Sequence, residues 1–163
     1  MTELRTERLV LTDVAEGDAE FVLELLNDPG WIENIGDRGV RTVEEARAYI
    51  VERFSKSLWL VVREAATAEP VGMCGLVKGR EGLNYPDIGY AYLARHAGRG
   101  FATEAAAVVL RHAHDVLGIE RIAAVTGPDN VASQRVLEKI GLRFMHMIDL
   151  PGYDAPSCYF LTD

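Results

Sequence analysis

The sequence predicts a mixed α/β (α+β) protein whose central sheet is mostly antiparallel and is flanked by helices. Three observations predict this fold. Short β-prone runs separated by turn residues occupy the middle of the chain. Apolar residues recur at helical spacing in several longer segments. In the second half, helical and strand patterns alternate in the order of a βαβα unit.

The first third of the chain predicts one strand and two helices. A β-prone run spans residues 4–12, and an apolar helical stripe follows over residues 18–26 until an Asn-Asp-Pro-Gly turn. Thr42, followed by two glutamates, predicts the cap of a second helix that continues to about residue 54. A loop over residues 31–40 joins the two helices.

The rest of the chain predicts further strands and two helices. Three β-prone runs follow one another as a meander, over residues 57–63, 71–77 and 87–93. A helix, a strand and a helix come next, over residues 101–117, 121–126 and 131–140. Two closing strands complete the sheet, over residues 143–150 and 157–161.

Size and composition indicate an ordinary globular protein. The chain has 163 residues, which predicts a single domain over residues 1–163. It is 48% hydrophobic and 26% charged, which excludes collagen-like and disordered classes. The net charge of −8 argues against a nucleic-acid partner. No signal peptide or bilayer-spanning run is present, so we expect a cytoplasmic protein without a membrane partner.

The two cysteines do not indicate a metal or redox site. Cys74 and Cys158 lie far apart and lack the Cys-x-x-Cys spacing, so we expect two buried thiols. His112 and His114 are two residues apart and project from different sides of a helix, unlike a zinc-binding i, i+4 pair. We therefore expect no metal.

The segment from residue 93 to residue 104 has the pattern of an anion-binding loop. A strand leads into two glycines and two arginines, and a helix begins directly after them. Amides at a helix start lack intrahelical partners and lie at the positive end of the helix dipole. Gly98 and Gly100 permit close backbone approach, while Arg95 and Arg99 add positive charge. The alternative is a surface turn with solvated arginines.

Two common nucleotide-binding loops do not fit this segment. The dinucleotide fingerprint requires a small residue where this chain has Thr103, and the acidic residue expected after the next strand is missing. The ATP-binding P-loop requires Gly-Lys-Ser/Thr, whereas Phe101 follows Gly100. The sequence therefore supports neither of these two nucleotide-binding folds.

Three separated motifs resemble the GNAT superfamily of N-acetyltransferases. The acetyl-CoA motif of that superfamily is similar to Asp87-Ile-Gly-Tyr-Ala-Tyr-Leu93 followed by Arg95-x-x-Gly98-x-Gly100-x-Ala102. Three further segments resemble one branch of the superfamily, the ribosomal-protein-alanine N-acetyltransferases, which acetylate ribosomal-protein N-termini. These segments are Thr6–Leu11, Asn130-x-x-Ser133 and Val136–Leu142. Thr12 departs from that branch's usual arginine, and Leu137 stands where many relatives carry a tyrosine.

The resemblance implies acetyl-CoA as the cosubstrate. It implies that the backbone of Tyr92 and Leu93 pairs with the pantetheine arm. The pyrophosphate would rest on consecutive backbone amides, those of Gly98, Arg99, Gly100, Phe101, Ala102 and Thr103. This is the loop that the residues themselves indicate as an anion site.

The resemblance also implies transfer of an acetyl group to an amine. Asp87 stands where many relatives carry the acid that accepts the amine proton, and its alternative is a solvated residue before a strand. In the ribosomal-protein branch the matching serine protonates the leaving thiolate, so Ser133 is the candidate here, with Asn130 orienting the cofactor arm. The competing interpretation is structural: Asn130 caps a helix and Ser133 lies in its first turn.

The sequence says less about the identity of the acceptor than about the cosubstrate. We expect a protein N-terminal α-amine or a small-molecule amine, because an α-amine of pKa near 7.7–8.0 costs about 1 kcal/mol to deprotonate at pH 7, against roughly 4.6 for lysine. The loop between the first helices supplies candidate acceptor contacts at Trp31, Asn34, Asp37 and Arg38. A homodimer is possible. The alternative function is a non-catalytic acyl-CoA-binding module.

Overall fold

The computed structural model describes residues 1–163, and its frame is one eight-stranded sheet. The strands are β1 (Glu3–Arg5), β2 (Leu9–Asp13), β3 (Leu58–Glu64), β4 (Pro70–Val77), β5 (Asp87–Tyr92), β6 (Ala123–Thr126), β7 (Leu142–Ile148) and β8 (Ser157–Thr162). The helices are α1 (Ala19–Leu26), α2 (Pro29–Asn34), α3 (Val43–Glu52), α4 (Phe101–Asp115) and α5 (Val131–Lys139).

The sheet is mixed and mostly antiparallel, as predicted. Its strand order is β1-β2-β3-β4-β5-β6-β8-β7, and β5 and β6 are its only parallel neighbours. The predicted meander is confirmed by β3, β4 and β5. The predicted βαβα unit is β5, α4, β6 and α5. None of the helices is both long enough and apolar enough to span a lipid bilayer.

Two predicted segments differ from the structure. The strand expected over residues 4–12 is a hairpin of β1 and β2, because the chain turns where the Thr6 amide donates to the Leu9 carbonyl at 2.9 Å. The loop expected over residues 31–40 begins inside α2. Asp28 caps α2 by accepting a hydrogen bond from the Gly30 amide, so the turn that ends α1 also starts the next helix.

Each face of the sheet carries an apolar cluster. α4 and α5 cover one face, where Phe101 and Leu137 pack on the strands. α1, α2 and α3 cover the other face, where Trp31 is packed. Tyr90 of β5 faces the first cluster, and Leu93 belongs to the second. Cys74 and Cys158 are buried free thiols, as predicted.

A gap opens between the two parallel strands. β5 and β6 are paired only at Asp87 and Ala123, beside a 2.8 Å hydrogen bond from the Ala123 amide to the Pro86 carbonyl. From Ile88 to Tyr92, β5 pairs with β4 alone. The gap therefore widens toward the end of β5, where the connection to α4 begins.

Candidate active site

The connection from β5 to α4 presents a row of free backbone donors. None of the amides of residues 98–103 donates to a protein acceptor, and the first bond of the helix runs from the Glu104 amide to the Gly100 carbonyl at 3.1 Å. Gly98 and Gly100 have φ of 78° and 81°, a left-handed conformation that favours glycine. α4 is 15 residues long, so its first amides carry partial positive charge. An anion would satisfy these donors.

Ionic, hydrogen-bond and cation–π contacts hold this loop against the sheet. The Arg8 guanidinium donates to the Arg99 carbonyl at 2.8 Å and pairs with Glu104 at 2.8 Å. The guanidinium groups of Arg8 and Arg99 lie 4.7 Å and 4.4 Å from the centre of the Phe101 ring. Burial would raise the pKa of Glu104, but hydrogen bonds from Thr6 and Arg8 outweigh it and lower that pKa. Glu104 therefore stays ionised, with Arg8 balancing its charge.

The two loop arginines, which the sequence predicted to add positive charge beside the anion site, are paired with carboxylates. Arg99 pairs with Glu64 at 2.7 Å. Arg95 pairs with Glu24 at 2.8 Å and with Glu69 at 3.6 Å. Both guanidinium groups are about half exposed, so each pair contributes little stability, on the order of 0–1 kcal/mol. A bound anion would have to compete with these glutamates for the arginines.

The two predicted strand positions differ in what their backbone offers. The Leu93 amide donates to the Val71 carbonyl at 3.0 Å, and the Leu93 carbonyl accepts from the His96 amide at 2.9 Å. Because backbone groups alternate along a strand, those of Tyr92 point away from β4 and into the gap. Leu93 therefore has no free N–H for a pantetheine arm, and Tyr92 keeps one.

Ser133 lies in the first turn of α5 and faces β5. Its hydroxyl oxygen is 2.9 Å from the phenol oxygen of Tyr90. The Asn130 side chain accepts from the Ser133 amide at 3.2 Å, so Asn130 caps α5 and the structural interpretation is correct for it. The Ser133 hydroxyl takes no part in the cap. Leu137, which replaces the tyrosine of many relatives, is buried in the α4–α5 cluster.

Asp87 is a buried carboxylate with one unpartnered oxygen. Its residue is 2% exposed, and its Oδ1 atom has no hydrogen-bond partner. Burial raises the pKa of Asp87 to about 6, although the Arg80 guanidinium 3.6 Å away acts in the opposite direction. The alternative interpretation of Asp87, a solvated residue before a strand, is wrong. A carboxyl group with this pKa is largely ionised at pH 7 and can still accept a proton.

The four predicted acceptor residues differ in burial and in hydrogen bonding. Trp31 is buried at 7% exposure, and its indole N–H has no partner. Asn34 donates to the Gly30 carbonyl within its own helix at 3.0 Å, and Asp37 pairs with Arg41 at 2.5 Å. Arg38 is exposed. Of the four, only Trp31 combines burial with a free polar group.

Sequence reasoning did not assign roles to Arg8 and Tyr90. Arg8 lies in the Thr-Glu-Arg-Leu motif, and Tyr90 lies in the Asp-Ile-Gly-Tyr motif, so both were within segments already singled out. Their partners are distant in sequence, because Arg8 binds residues of the α4 start and Tyr90 binds α5. A motif position marks such residues, but the contact itself appears only in the folded chain.

Comparison with known proteins gives one consistent family. A family model described as an acetyltransferase (GNAT) domain matches residues 8–143. The uncharacterized protein YkkB of Bacillus subtilis is 31% identical over 90% of this chain and 88% of its own length. The uncharacterized N-acetyltransferase YoaA of the same organism is 27% identical over 86% and 82%. An acetyltransferase of the GNAT family from Bacillus anthracis has a TM-score of 0.84 at 25% identity, covering 98% and 97% of the two chains.

Structures at lower sequence identity share the fold, and their names indicate different acceptors. The ribosomal-protein-S5-alanine acetyltransferase from Vibrio fischeri has a TM-score of 0.81 at 15% identity, covering 99% and 96% of the chains. A structure of AAC(6')-Ib in complex with paromomycin and acetyl-CoA has a TM-score of 0.75 at 18% identity, covering 96% and 93%. Such likeness supports the fold alone and does not select an acceptor.

Proposed function

Because the chain belongs to the GNAT family of acetyltransferases, we propose that it moves the acetyl group of acetyl-CoA to a primary amine by direct attack of the amine on the thioester. The observation that carries this proposal is the run of unpartnered amides over residues 98–103 at the mouth of the gap between β5 and β6. Backbone donors at a helix start suit a diphosphate, and a free strand edge suits an amide-containing arm.

The residues present fit acetyl-CoA at this place. The amides of residues 98–103 would hold the diphosphate, and the free backbone of Tyr92 would hold the arm. The Asn130 side chain uses its oxygen for the cap of α5, and its nitrogen stays available as a donor. Bound acetyl-CoA supplies an acetyl group activated as a thioester. Positioning by such contacts can lower the barrier by several kcal/mol, on the order of 7 or more in favourable cases.

Two groups of the chain handle protons in this proposal. The Asp87 carboxylate accepts the proton of the amine, directly or through water, and later releases it to solvent. The Ser133 hydroxyl donates a proton to the departing sulfur and takes up a replacement proton from solvent. Asp87 shares the strand face of Ala91 and Leu93, toward α1–α3, whereas Ser133 lies on the α4–α5 side. The gap between β5 and β6 connects these two sides of the sheet.

We propose that the acceptor is an α-amine of a protein N-terminus, as in the ribosomal-protein branch, or an α-amine of similar basicity on a small molecule. The lower proton affinity of α-amines than of lysine side chains supports this choice, since Asp87 is a weak base. Trp31, with its free indole N–H, is the best supported acceptor contact. The free state of both cysteines supports a cytoplasmic location.

Thiol release tests the function. The protein is incubated with acetyl-CoA and matched peptides that differ only in a free or an acetylated N-terminus, each with one internal lysine. We expect thiol release with the free N-terminus and little with the blocked peptide at pH 7. Spermidine and an aminoglycoside serve as small-amine alternatives. Binding of acetyl-CoA without turnover on any amine would contradict the proposal and favour a non-catalytic acyl-CoA-binding module.

A further inference from the structure

Arg80 faces the buried Asp87 carboxylate, and the proposed mechanism gives this arginine no role. Its Nε atom lies 3.6 Å from Asp87 Oδ2, whereas Asp87 Oδ1 has no hydrogen-bond partner. The Arg80 side chain is 32% exposed, and the Asp87 side chain is only 2% exposed. Because the carboxylate is removed from water, solvent screens this ion pair less than it screens a pair on the surface.

Arg80 lies in the connection between β4 and β5, which is packed against the connection between β7 and β8. The Nη1 atom of Arg80 is 3.5 Å from the phenol oxygen of Tyr153, in the second connection. A Cβ added at Gly82 would lie 3.0 Å from the Leu150 side chain, so the two connections are in close contact there. These contacts hold the connection that carries Arg80 beside the start of β5.

Arg80 is the one ion-pair partner of Asp87. On the neighbouring strands the residues opposite Asp87 are Val77 of β4 and Ala123 of β6, which carry no charge. On the sheet face toward α1–α3, the helices contribute the apolar side chains of the second cluster. Tyr153, from the β7–β8 connection, contacts the far side of the Arg80 guanidinium. Removal of the Arg80 charge would therefore leave the buried carboxylate without a counter-ion.

We propose that Arg80 is a positioning residue for Asp87, the base of the proposed acetyl transfer. Its guanidinium pairs with Oδ2 and keeps the carboxyl group ionised, which leaves Oδ1 to accept the proton of the amine. Burial disfavours an ionised carboxyl group, whereas a neighbouring positive charge favours it. Without Arg80, Asp87 would take up its proton at a higher pH, and fewer molecules would carry the active base. The inference rests on the proposed function, because that proposal assigns the base.

The carboxyl carbon-13 signal of Asp87 tests the pairing without any turnover. The full chain is labelled at its aspartate carboxyl carbons, and the Asp87 signal is the one that is absent from Asp87→Asn. Arg80→Gln and Arg80→Met should each raise the midpoint of its titration by about one pH unit, the low end for a neighbouring charge, since Arg80 is partly exposed. Arg80→Lys keeps the charge and should titrate closer to wild type. Arg111→Gln removes an exposed arginine from α4 and, as the matched control, should leave the titration unchanged.

The pH profile of kcat/KM tests the same effect in catalysis. The ratio of wild type to Arg80→Gln cancels the titration of the acceptor, which both proteins share. A one-unit shift from a pKa of about 6 predicts a ratio of about five at pH 6 and close to one above pH 8. Arg80→Lys should bring the ratio at pH 6 back toward one.

The two measurements distinguish failure of this inference from failure of the proposed function. An Asp87 signal that titrates alike in wild type, Arg80→Gln and Arg80→Met would overturn the role of Arg80, whether or not the protein acetylates an amine. A shifted signal with an activity ratio independent of pH would support the pairing and contradict Asp87 as the base. Thermal melting checks that each variant is folded at the pH values used.

Discussion

The phenol oxygen of Tyr90 lies 2.9 Å from the Ser133 hydroxyl oxygen and 3.1 Å from the Ser133 carbonyl oxygen. Tyr90 has one proton, so it donates to one of these oxygens at a time. Burial raises the pKa of Tyr90, so the phenol keeps that proton at ordinary pH. When Tyr90 donates to the hydroxyl, the Ser133 proton is free to leave toward the gap. When it donates to the carbonyl, the Ser133 proton points at Tyr90.

Removing the Ser133 hydroxyl tests its role as the proton donor. Ser133→Ala should lower kcat by about 100-fold, the low end for loss of a general acid, with the KM for acetyl-CoA changed less than about threefold. The fold should be unaffected, because the hydroxyl caps nothing. Thr42→Ala removes the cap of α3, a helix without a proposed proton donor, and is the structural control; it should cost about 1 kcal/mol of stability. Wild-type kcat in Ser133→Ala would remove Ser133 from the mechanism.

Tyr90→Phe tests the coupling of the two hydroxyl groups. We expect a smaller loss of kcat than for Ser133→Ala, since the proton donor remains but is no longer oriented. The double variant should be no slower than Ser133→Ala alone, because residues that act as a unit have non-additive effects. Independent losses that multiply in the double variant would show that Tyr90 acts by another route.

The pH dependence of kcat/KM tests Asp87 as the base. Its pKa of about 6 predicts that activity falls as pH decreases below 6, since the carboxyl group becomes protonated. Deprotonation of the acceptor gives its own slope, so the informative quantity is the ratio of wild type to Asp87→Asn. That ratio should be about 100 or more above pH 7 and should decrease below pH 6. A ratio independent of pH would contradict the assignment.

Asp87→Asn should also stabilise the protein near neutral pH. The pKa of Asp87 is raised from 3.8 to about 6 on folding, so its favourable contribution is complete below pH 3.8 and is lost as pH rises through about 6. At pH 7 the buried charge costs on the order of 1–3 kcal/mol. Denaturant titration should show that the Asp87→Asn variant is more stable than the wild type at pH 7. Near pH 4 the two proteins should have nearly equal free energies of unfolding. A variant that is destabilised equally at both pH values would contradict this prediction.

Most of the fold could be predicted from the sequence because its signals are local. The apolar spacing of α4 and the capping threonine of α3 specify these helices without distant partners. The hairpin of β1 and β2 was missed, because its turn involves Thr6, whose side chain binds Glu104 of α4. Helix α2 was missed because a Pro-Gly pair reads as a stop and here lies in the first turn of the next helix.

Some features of the candidate site could also be predicted from the local sequence, and others could not. The glycine positions of the anion loop follow from the local sequence, since both adopt positive φ before a helix. The pairing of Arg99 with Glu64 could not be predicted, because it depends on how β3 lies beside the loop. The raised pKa of Asp87 likewise depends on burial by segments far away in sequence. Motifs locate such residues, and packing decides their charge state.

The most direct test of the central claim is the acetyl-CoA affinity of Gly98→Asp beside Gly98→Asn, measured by titration calorimetry. A Cβ at residue 98 meets no atom within 4 Å, and both side chains are nearly isosteric, so the comparison isolates the negative charge. The account predicts that Asn binds within about threefold of wild type and Asp at least tenfold more weakly, a difference of about 1.4 kcal/mol or more. Acetyl-pantetheine, which lacks the diphosphate, should bind both variants equally. Equal acetyl-CoA affinity of the Asp and Asn variants would contradict the placement of the diphosphate on this loop.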